Sequence, residues 1–403
     1  MCKTQNHTVP THEKKFSLAS FFNSHWDKYL ENPKYPISTL QHKAVRAIRQ
    51  CRTKALGKDV YSCTACGSVV ELYFSCKHRF CPTCSWNETK QWASKLYNQL
   101  LNVPHRHVVM TLPHKLNPLI RRNPQFFYQT LMSESSNLLK DYLKKVYKVD
   151  IGVVTVLHTF GEQKNLHVHV HMIVSWGGLD KEKNILKSVP ISDRVDYLKF
   201  KETFRTRIIT CIDKAYEQKK LIHNFKSIQA YKEFKDSLQE KQWILHLEPP
   251  MNMPEQVIRY IGRYSKRACL SEYKITEIDG DYISFKYKDY KQTDPNGKPI
   301  EKELKHHYRD FFPLLLQHVP LAHFRLVRYY GIYATRTKIL EEYRKKAAYT
   351  EPGINQPIID DRKVCRECNS TMQHISTEMQ RGSILWFISR RKIRKMLIEK
   401  KAA

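Results

Sequence analysis

Apolar positions along the chain fall into two periods, one helical and one strand-like. Leu40, Ala44, Ala47 and Ile48 recur at helical spacing inside Phe16 to Lys54, where apolar and basic residues alternate. A second helix-like stretch runs from Glu88 to Leu101. His107-Val108-Val109-Met110-Thr111-Leu112 is a β-branched apolar run stopped by Pro113, the pattern of a buried strand. Leu138, Leu139, Tyr142, Leu143 and Val146 mark one face of a helix over 133–148. Two more strands are predicted at 152–160 and 166–176, joined through Gly161 to Asn165 as a hairpin. Beyond them the pattern predicts a polar helical section over 193–241, a strand over 243–247, a helix over 254–267 opened by Pro254 and Glu255, and an alternating strand over 282–288. No repeat and no low-complexity tract interrupts this order.

Composition narrows the class. The chain has 403 residues, 41% of them hydrophobic and 11% aromatic, enough to build more than one core and too many to leave the chain disordered. Lys and Arg number 69 against 39 Asp and Glu, a net charge of +30. The excess runs along the whole sequence, which points to a polyanion, and nucleic acid is the commonest one. No apolar run approaches the roughly 18 residues of a membrane helix. The start, Met1 to Lys15, is polar and has no signal-peptide apolar region, so a cytoplasmic location is expected. There, the 11 cysteines read as metal ligands where they cluster, not as disulfides.

Five cysteines lie within the 22 residues from Cys63 to Cys84. Cys63-x-x-Cys66 and Cys81-x-x-Cys84 are two knuckle pairs, and a CxxC turn lets both thiolates reach one tetrahedral zinc. Together they make a complete four-ligand structural site, with Cys76, His78 or the upstream Cys51 able to exchange for one ligand. The alternative is a set of buried reduced thiols. Lys77, Arg79 and Lys90 beside it suit phosphate contact. Cys365-x-x-Cys368 is half of a second site, to which His374 could add a ligand. Cys211 and Cys269 read as ordinary thiols.

Asn165 to Val174 carries three histidines at period two. On a strand His167, His169 and His171 share one face, with Val168, Val170 and Met172 opposite. Three imidazoles on one face can hold a divalent cation. Histidine alone favours zinc, copper or iron over magnesium, so the residues leave the metal open. Near a phosphodiester such an ion acts as a Lewis acid. Tyr260 and Tyr264 stand four apart in Tyr260-Ile261-Gly262-Arg263-Tyr264, on one face of a helix. Tyrosine can be a covalent nucleophile but needs activation, its pKa lying near 10. Taken alone the pair would be packing. Arg259, Arg263, Lys266 and Arg267 interleave with it and could anchor DNA phosphates.

At these residues the chain resembles the two-tyrosine rolling-circle transposases of bacterial insertion sequences (the insertion-sequence-ninety-one type), members of the HUH endonuclease class. Four segments carry the likeness. They are Ala47-Ile48 through Ala55-Leu56-Gly57 leading into Cys63-x-x-Cys66 and Ser75 to Cys84; His107 to His114; the histidine strand ending in Gly177-Gly178-Leu179; and Tyr260 to Tyr264, with Phe285 to Tyr290 and Arg328-Tyr329-Tyr330-Gly331 beyond. They occur in the family's order over roughly residues 40 to 335.

The resemblance implies an α+β fold: an HUH-type antiparallel sheet with flanking helices, preceded by an N-terminal zinc-binding module. The expected division is 1–100 for the helical, zinc-binding DNA-recognition module, 101–335 for the HUH nuclease domain, and 336–403 for a basic C-terminal region with a CxxC pair. His169-Val170-His171 corresponds to the family's histidine–hydrophobe–histidine motif, which binds Mg²⁺ or Mn²⁺, with His167 a candidate third ligand. Tyr260 and Tyr264 match the two nucleophiles. The implied reaction is metal-assisted nicking of single-stranded DNA at transposon ends, with a 5′-phosphotyrosine, a released 3′-OH and no ATP. In one departure, Glu248 precedes Pro249 where the family leads one to expect a basic residue.

Three other readings compete. A rolling-circle replication initiator shares the chemistry. A non-catalytic zinc protein that binds nucleic acid accounts for the charge and the cysteines but leaves the histidines and tyrosines as coincidence. A histidine-metal hydrolase using activated water makes no covalent DNA adduct. The C-terminal run Arg390 to Lys395 is either a phosphate grip or a solvated helix end.

Overall fold

The computed structural model describes residues 16–85, 92, 96, 100–101, 103–180, 182–183, 185–190, 196–240, 243–251, 268–334 and 364–379. In chain order the helices are α1 (Leu18–Glu31), α2 (Thr39–Gln50), α3 (Asn117–Arg122), α4 (Pro124–Tyr147), α5 (Tyr197–Glu217), α6 (Ile228–Gln239) and α7 (Tyr308–Leu316). The first strands are β1 (Lys58–Cys63), β2 (Val69–Tyr73), β3 (His105–Thr111), β4 (Val149–Asp150), β5 (Gly152–Phe160), β6 (Leu166–Ser175), β7 (Gly177–Asp180) and β8 (Ile185–Ser188). They are followed by β9 (Ile244–Leu247), β10 (Ile275–Asp279), β11 (Tyr282–Thr293), β12 (Pro299–His307), β13 (Val327–Gly331) and β14 (Met372–Glu378).

The chain divides into two compact units, and it does so differently from the expected 1–100, 101–335 and 336–403. Described residues 16–84, 268–319 and 364–379 form the first unit, while residues between 85 and 251 and those of 320–334 form the second. Residues 268–319 thus return to the N-terminal unit, and so does the C-terminal hairpin. Core formation decides this, because the apolar faces that complete each other are far apart in sequence.

In the first unit α1 buries Phe21, Phe22, Trp26 and Tyr29. Their partners are Phe311 and Phe312 of α7: Phe22 stacks on Phe312 at 4.9 Å between centroids, and Phe21 meets Phe311 edge-on at 5.8 Å. Helix α2 begins with a capping box, in which the Ser38 hydroxyl accepts from the Gln41 N–H and the Gln41 side chain accepts from the Ser38 N–H. Its C-cap is Cys51. Two antiparallel sheets complete the unit, ordered β14-β1-β2 and β10-β11-β12.

The second unit is built on a five-stranded sheet ordered β13-β5-β6-β3-β9, antiparallel throughout. One face carries Val108, Met110, Val153, Leu157, Val168, Val170, Met172 and Val174, and this face packs on α4 and α5. Helix α4 starts at Pro124, nine residues before the position predicted from its apolar stripe, because Pro occupies the first turn, where its missing N–H costs nothing. It supplies Phe127, Leu131, Leu138, Leu139 and Leu143 to the core, and α5 supplies Phe204, Ile208 and Ile212. The predicted polar section over 193–241 resolves into α5 and α6. Of the predicted helix over 88–101, Trp92, Leu96, Leu100 and Leu101 are described; they are buried with Val154, Val156, Ile173 and Tyr333. The predicted helix over 254–267 lies outside the described residues. Among the described residues no helix is long and apolar enough to cross a membrane. The fold is mixed, with antiparallel sheets and helices, as the sequence implied.

Candidate functional site

Strand alternation places the histidines. In β6 the residues Val168, Val170, Met172 and Val174 enter the core under α4 and α5, so His169 and His171 take the opposite face. Across that face His169 lies between His158 of β5 and Thr111 of β3, and His171 between Val156 and Val109.

His158, His169 and His171 converge: a ring nitrogen from each lies within 4.8 Å of the other two. Ring centroids stand 5.3 Å apart for His158–His169, 4.7 Å for His158–His171 and 4.9 Å for His169–His171. All three are nearly buried, at 8%, 9% and 8% exposure.

Hydrogen bonds set two of the rings. His169 Nδ1 donates to the carbonyl oxygen of His167 at 2.8 Å. A carbonyl only accepts, so the proton is on Nδ1 and the Nε2 lone pair is available. His171 Nδ1 is bonded to Nε2 of buried His107 at 2.9 Å; with Nδ1 as the donor of that pair, Nε2 keeps its lone pair for a metal. Burial, then the neighbouring imidazole of His158, holds both His169 and His171 well below the ordinary histidine range, so they are neutral donors. Three nearly buried imidazoles, two of them neutral and with Nδ1 engaged, are a donor set fit for a divalent cation.

His167 was a candidate third ligand, and the structure brings His158 to the pair instead. His167 Nδ1 is bonded to His114 Nε2 at 2.8 Å, and burial, then His114, pushes its pKa down to about 4. Strand geometry explains the exchange. Residues i and i+4 of a strand are about 13 Å apart, whereas directly opposed residues on paired strands have Cβ atoms about 5 Å apart. The third imidazole therefore comes more easily from across the ladder. The connection Gly161–Asn165 carried no signal for it: continued regularly from the Phe160–Leu166 pair, the hairpin would set His158 opposite Val168, and a one-residue register shift between His158 and Phe160 sets it opposite His169 instead.

Glu248, unexpected by family pattern, sits next to this face. Its backbone N–H donates to the His107 carbonyl at 2.9 Å, and its carboxylate meets His246 Nε2 at 2.8 Å. Burial pushes the His107 pKa down to about 4, with Glu248 opposing the shift.

The cysteines form two groups of four. Cys51, Cys76, Cys81 and Cys84 make one, and Cys63, Cys66, Cys365 and Cys368 the other. The expected single site of Cys63, Cys66, Cys81 and Cys84 is therefore divided, because β1 pairs with β14 and carries the first knuckle to the C-terminal CxxC. In the first group Sγ–Sγ separations are 3.5 Å for Cys51–Cys84 and 3.6 Å for Cys76–Cys84. A tetrahedron with Zn–S bonds of about 2.3 Å has edges of about 3.8 Å, so these spacings fit zinc. Cys76, an alternative by sequence, is a full member of this group. His78, the other alternative, accepts from the Phe80 N–H through Nδ1 at 3.1 Å and lies outside both groups. Tyr260, Tyr264, Arg259, Arg263, Lys266 and Arg267 lie outside the described residues.

Two family models match in tandem. The transposase zinc-binding domain of the IS91 type covers residues 21–112, and a model described as "Putative transposase" covers 152–339. The chain belongs to the IS91-type transposases. The transposase of insertion sequence element IS801 from Pseudomonas savastanoi pv. phaseolicola is 26% identical over 325 residues, 78% of this chain and 75% of that protein. "Putative transposase y4qJ" of Sinorhizobium fredii (strain NBRC 101917 / NGR234) is 28% identical over 307 residues, 74% of this chain and 76% of that one. No solved structure matches significantly. The zinc-binding match contains Cys51, Cys76, Cys81 and Cys84 whole, and the second match contains His158, His169 and His171. This transposase is thus a DNA-processing enzyme with a zinc-binding domain.

Proposed function

We propose that this transposase nicks and rejoins single-stranded DNA at the ends of its insertion sequence, through an HUH nuclease site on the histidine face of the five-stranded sheet. The observation that carries the reading is the convergence of His158, His169 and His171, with the Nδ1 atoms of His169 and His171 tied back. These three would hold the cation, Mg²⁺ or Mn²⁺ by family resemblance. When bound, the ion supplies Lewis acidity at a phosphoryl oxygen and orients it for in-line attack.

Tyr260 and Tyr264 are the proposed nucleophiles. The phenolic oxygen of one attacks phosphorus as its proton leaves, the bond from phosphorus to O3′ breaks, and the departing oxygen takes up a proton as a 3′-OH. The DNA remains on the enzyme as a 5′-phosphotyrosine. Because a phosphodiester replaces a phosphodiester, a free 3′-OH can reverse the step on another strand without ATP. The second tyrosine serves the second cleavage. Arg259, Arg263, Lys266 and Arg267 are proposed to grip backbone phosphates, as the net charge of +30 suits. Cys51, Cys76, Cys81 and Cys84 are the proposed structural zinc site, closed because four thiolates leave no open position.

The test is incubation of the protein and Mn²⁺ with labelled single-stranded DNA carrying the element's end, followed by denaturing electrophoresis. A covalent protein–DNA band is expected. It persists in Tyr260→Phe or Tyr264→Phe alone and vanishes in the double variant and in His169→Ala. Cleavage with no adduct would replace the reading by a water-activating hydrolase, and binding with neither by a DNA-binding role.

A further inference from the structure

We propose that Cys63, Cys66, Cys365 and Cys368 bind a second structural zinc ion, which fastens the C-terminal hairpin to the N-terminal module. The matched zinc-binding segment ends at residue 112, so half of this ligand set lies beyond it. The inference is independent of the nuclease reading.

Sulfur geometry is the first support. Sγ–Sγ separations are 3.4 Å for Cys63–Cys368 and 3.6 Å for both Cys66–Cys365 and Cys66–Cys368. These approach the edge of about 3.8 Å of a four-thiolate zinc tetrahedron, and they are far above a disulfide bond of about 2.05 Å.

The second support is that the two CxxC segments have the same backbone. In Cys63-Thr64-Ala65-Cys66-Gly67-Ser68 the Cys63 N–H donates to the Ser68 carbonyl at 2.8 Å, and the Gly67 N–H donates to the Cys63 carbonyl at 3.1 Å. In Cys365-Arg366-Glu367-Cys368-Asn369-Ser370 the Cys365 N–H donates to the Ser370 carbonyl at 2.9 Å, and the Asn369 N–H to the Cys365 carbonyl at 2.9 Å. Gly67 and Asn369, the fifth residue of each, both take positive φ, +72° and +57°. This left-handed turn aims both thiols of a knuckle the same way, and asparagine is the non-glycine residue that tolerates it best. In the first knuckle the Ala65 N–H also points at Cys63 Sγ, at 3.4 Å. Two matching knuckles facing each other across a sheet make a tetrahedral cage. Neither knuckle alone offers more than two ligands.

The third support is what the sheet lacks. β14 pairs with β1 from Lys58–Glu378 to Cys63–Met372. Among the described residues, the buried cluster beneath β14-β1-β2 is Cys63, Cys365 and Met372, with Tyr61 and Val70 against it, while Val69 and Ile375 are 60% and 59% exposed. A three-stranded sheet with so small a core needs a staple, and bound zinc supplies folding free energy directly.

Metal content of the purified full-length protein tests this, with alkylation mapping on the same sample. Wild type is expected to hold two zinc ions per chain. Cys365→Ser/Cys368→Ser is expected to lose one, and Cys76→Ser/Cys81→Ser to lose the other. A Cys365→Ser/Cys368→Ser variant with the zinc content of wild type overturns the proposal. The mapping needs no variant, so misfolding cannot obscure it. Cys66 and Cys368 are exposed, and unligated thiols there would label fast. Protection of Cys63, Cys66, Cys365 and Cys368 as one set, lost together on chelation, supports the site. Rapid labelling of Cys365 and Cys368 in the zinc-loaded protein overturns it.

Discussion

His107 is bonded to His171 of the proposed cation site, and His107→Phe tests that contact. The substitution keeps an aromatic ring in a position where His107 is 2% exposed. It deletes the nitrogen that lies 2.9 Å from His171 Nδ1. For Nε2 of His171 to bind metal, Nδ1 must carry the proton, and the substitution removes the His107 nitrogen that would accept from it. Removing the partner of a buried donor costs about 1–3 kcal/mol. Loss of a partner of this kind typically weakens metal binding by about 10–100-fold, or about 1.4–2.7 kcal/mol, inside the same range. Mn²⁺ binding, followed through the paramagnetic resonance of the free aqueous ion, should show this rise in Kd. A thermal melt controls for the fold, and raised Mn²⁺ should restore nicking, since the nucleophile is untouched. A Kd within twofold of wild type, where His169→Ala abolishes binding, would refute the role assigned to His107.

Three further outcomes follow from buried polar groups and tight backbone approaches. Tyr333 OH accepts the Leu101 N–H at 3.1 Å and is bonded to His105 Nε2 at 2.7 Å, so Tyr333→Phe should destabilise the second unit by about 1–3 kcal/mol or more in urea unfolding, and unchanged stability would contradict this. Burial pushes the His105 pKa down to about 4 from an ordinary 6.5. The unfolded chain therefore takes up the proton first, so stability is full above pH 6.5 and is lost as pH falls toward 4. That window is worth about 3 kcal/mol, and a His105→Leu variant should show a shallower loss; equal slopes would refute it. A Cβ on Gly178 would stand 1.9 Å from the Asp150 carbonyl oxygen, which is backbone and part of the β4–β7 pairing. Gly178→Ala should thus cost about 1–3 kcal/mol or more and lower Tm by several degrees in calorimetry, and a wild-type Tm would refute the close approach.

Local periodicity determined much of this protein. Strands β3, β5 and β6, the stripe of α4, the face shared by His169 and His171, and the grouping of cysteines into knuckles all follow from spacings of two to four residues. Such spacings are set by the backbone itself and are legible wherever one face must be buried. The charge and the motif order were equally local facts, and together they led to the transposase family. Three things were decided only by tertiary structure. His158 joined the histidine pair because paired strands bring residues closer than positions along one strand. Cys63 and Cys66 joined Cys365 and Cys368 because β1 pairs with β14 across about three hundred residues. Residues 268–319 joined the N-terminal unit because Phe311 and Phe312 complete the aromatic face of α1. In each case the partner is chosen by which apolar face or strand edge is left to cover. That choice depends on the whole folded chain and leaves no periodic trace in the sequence.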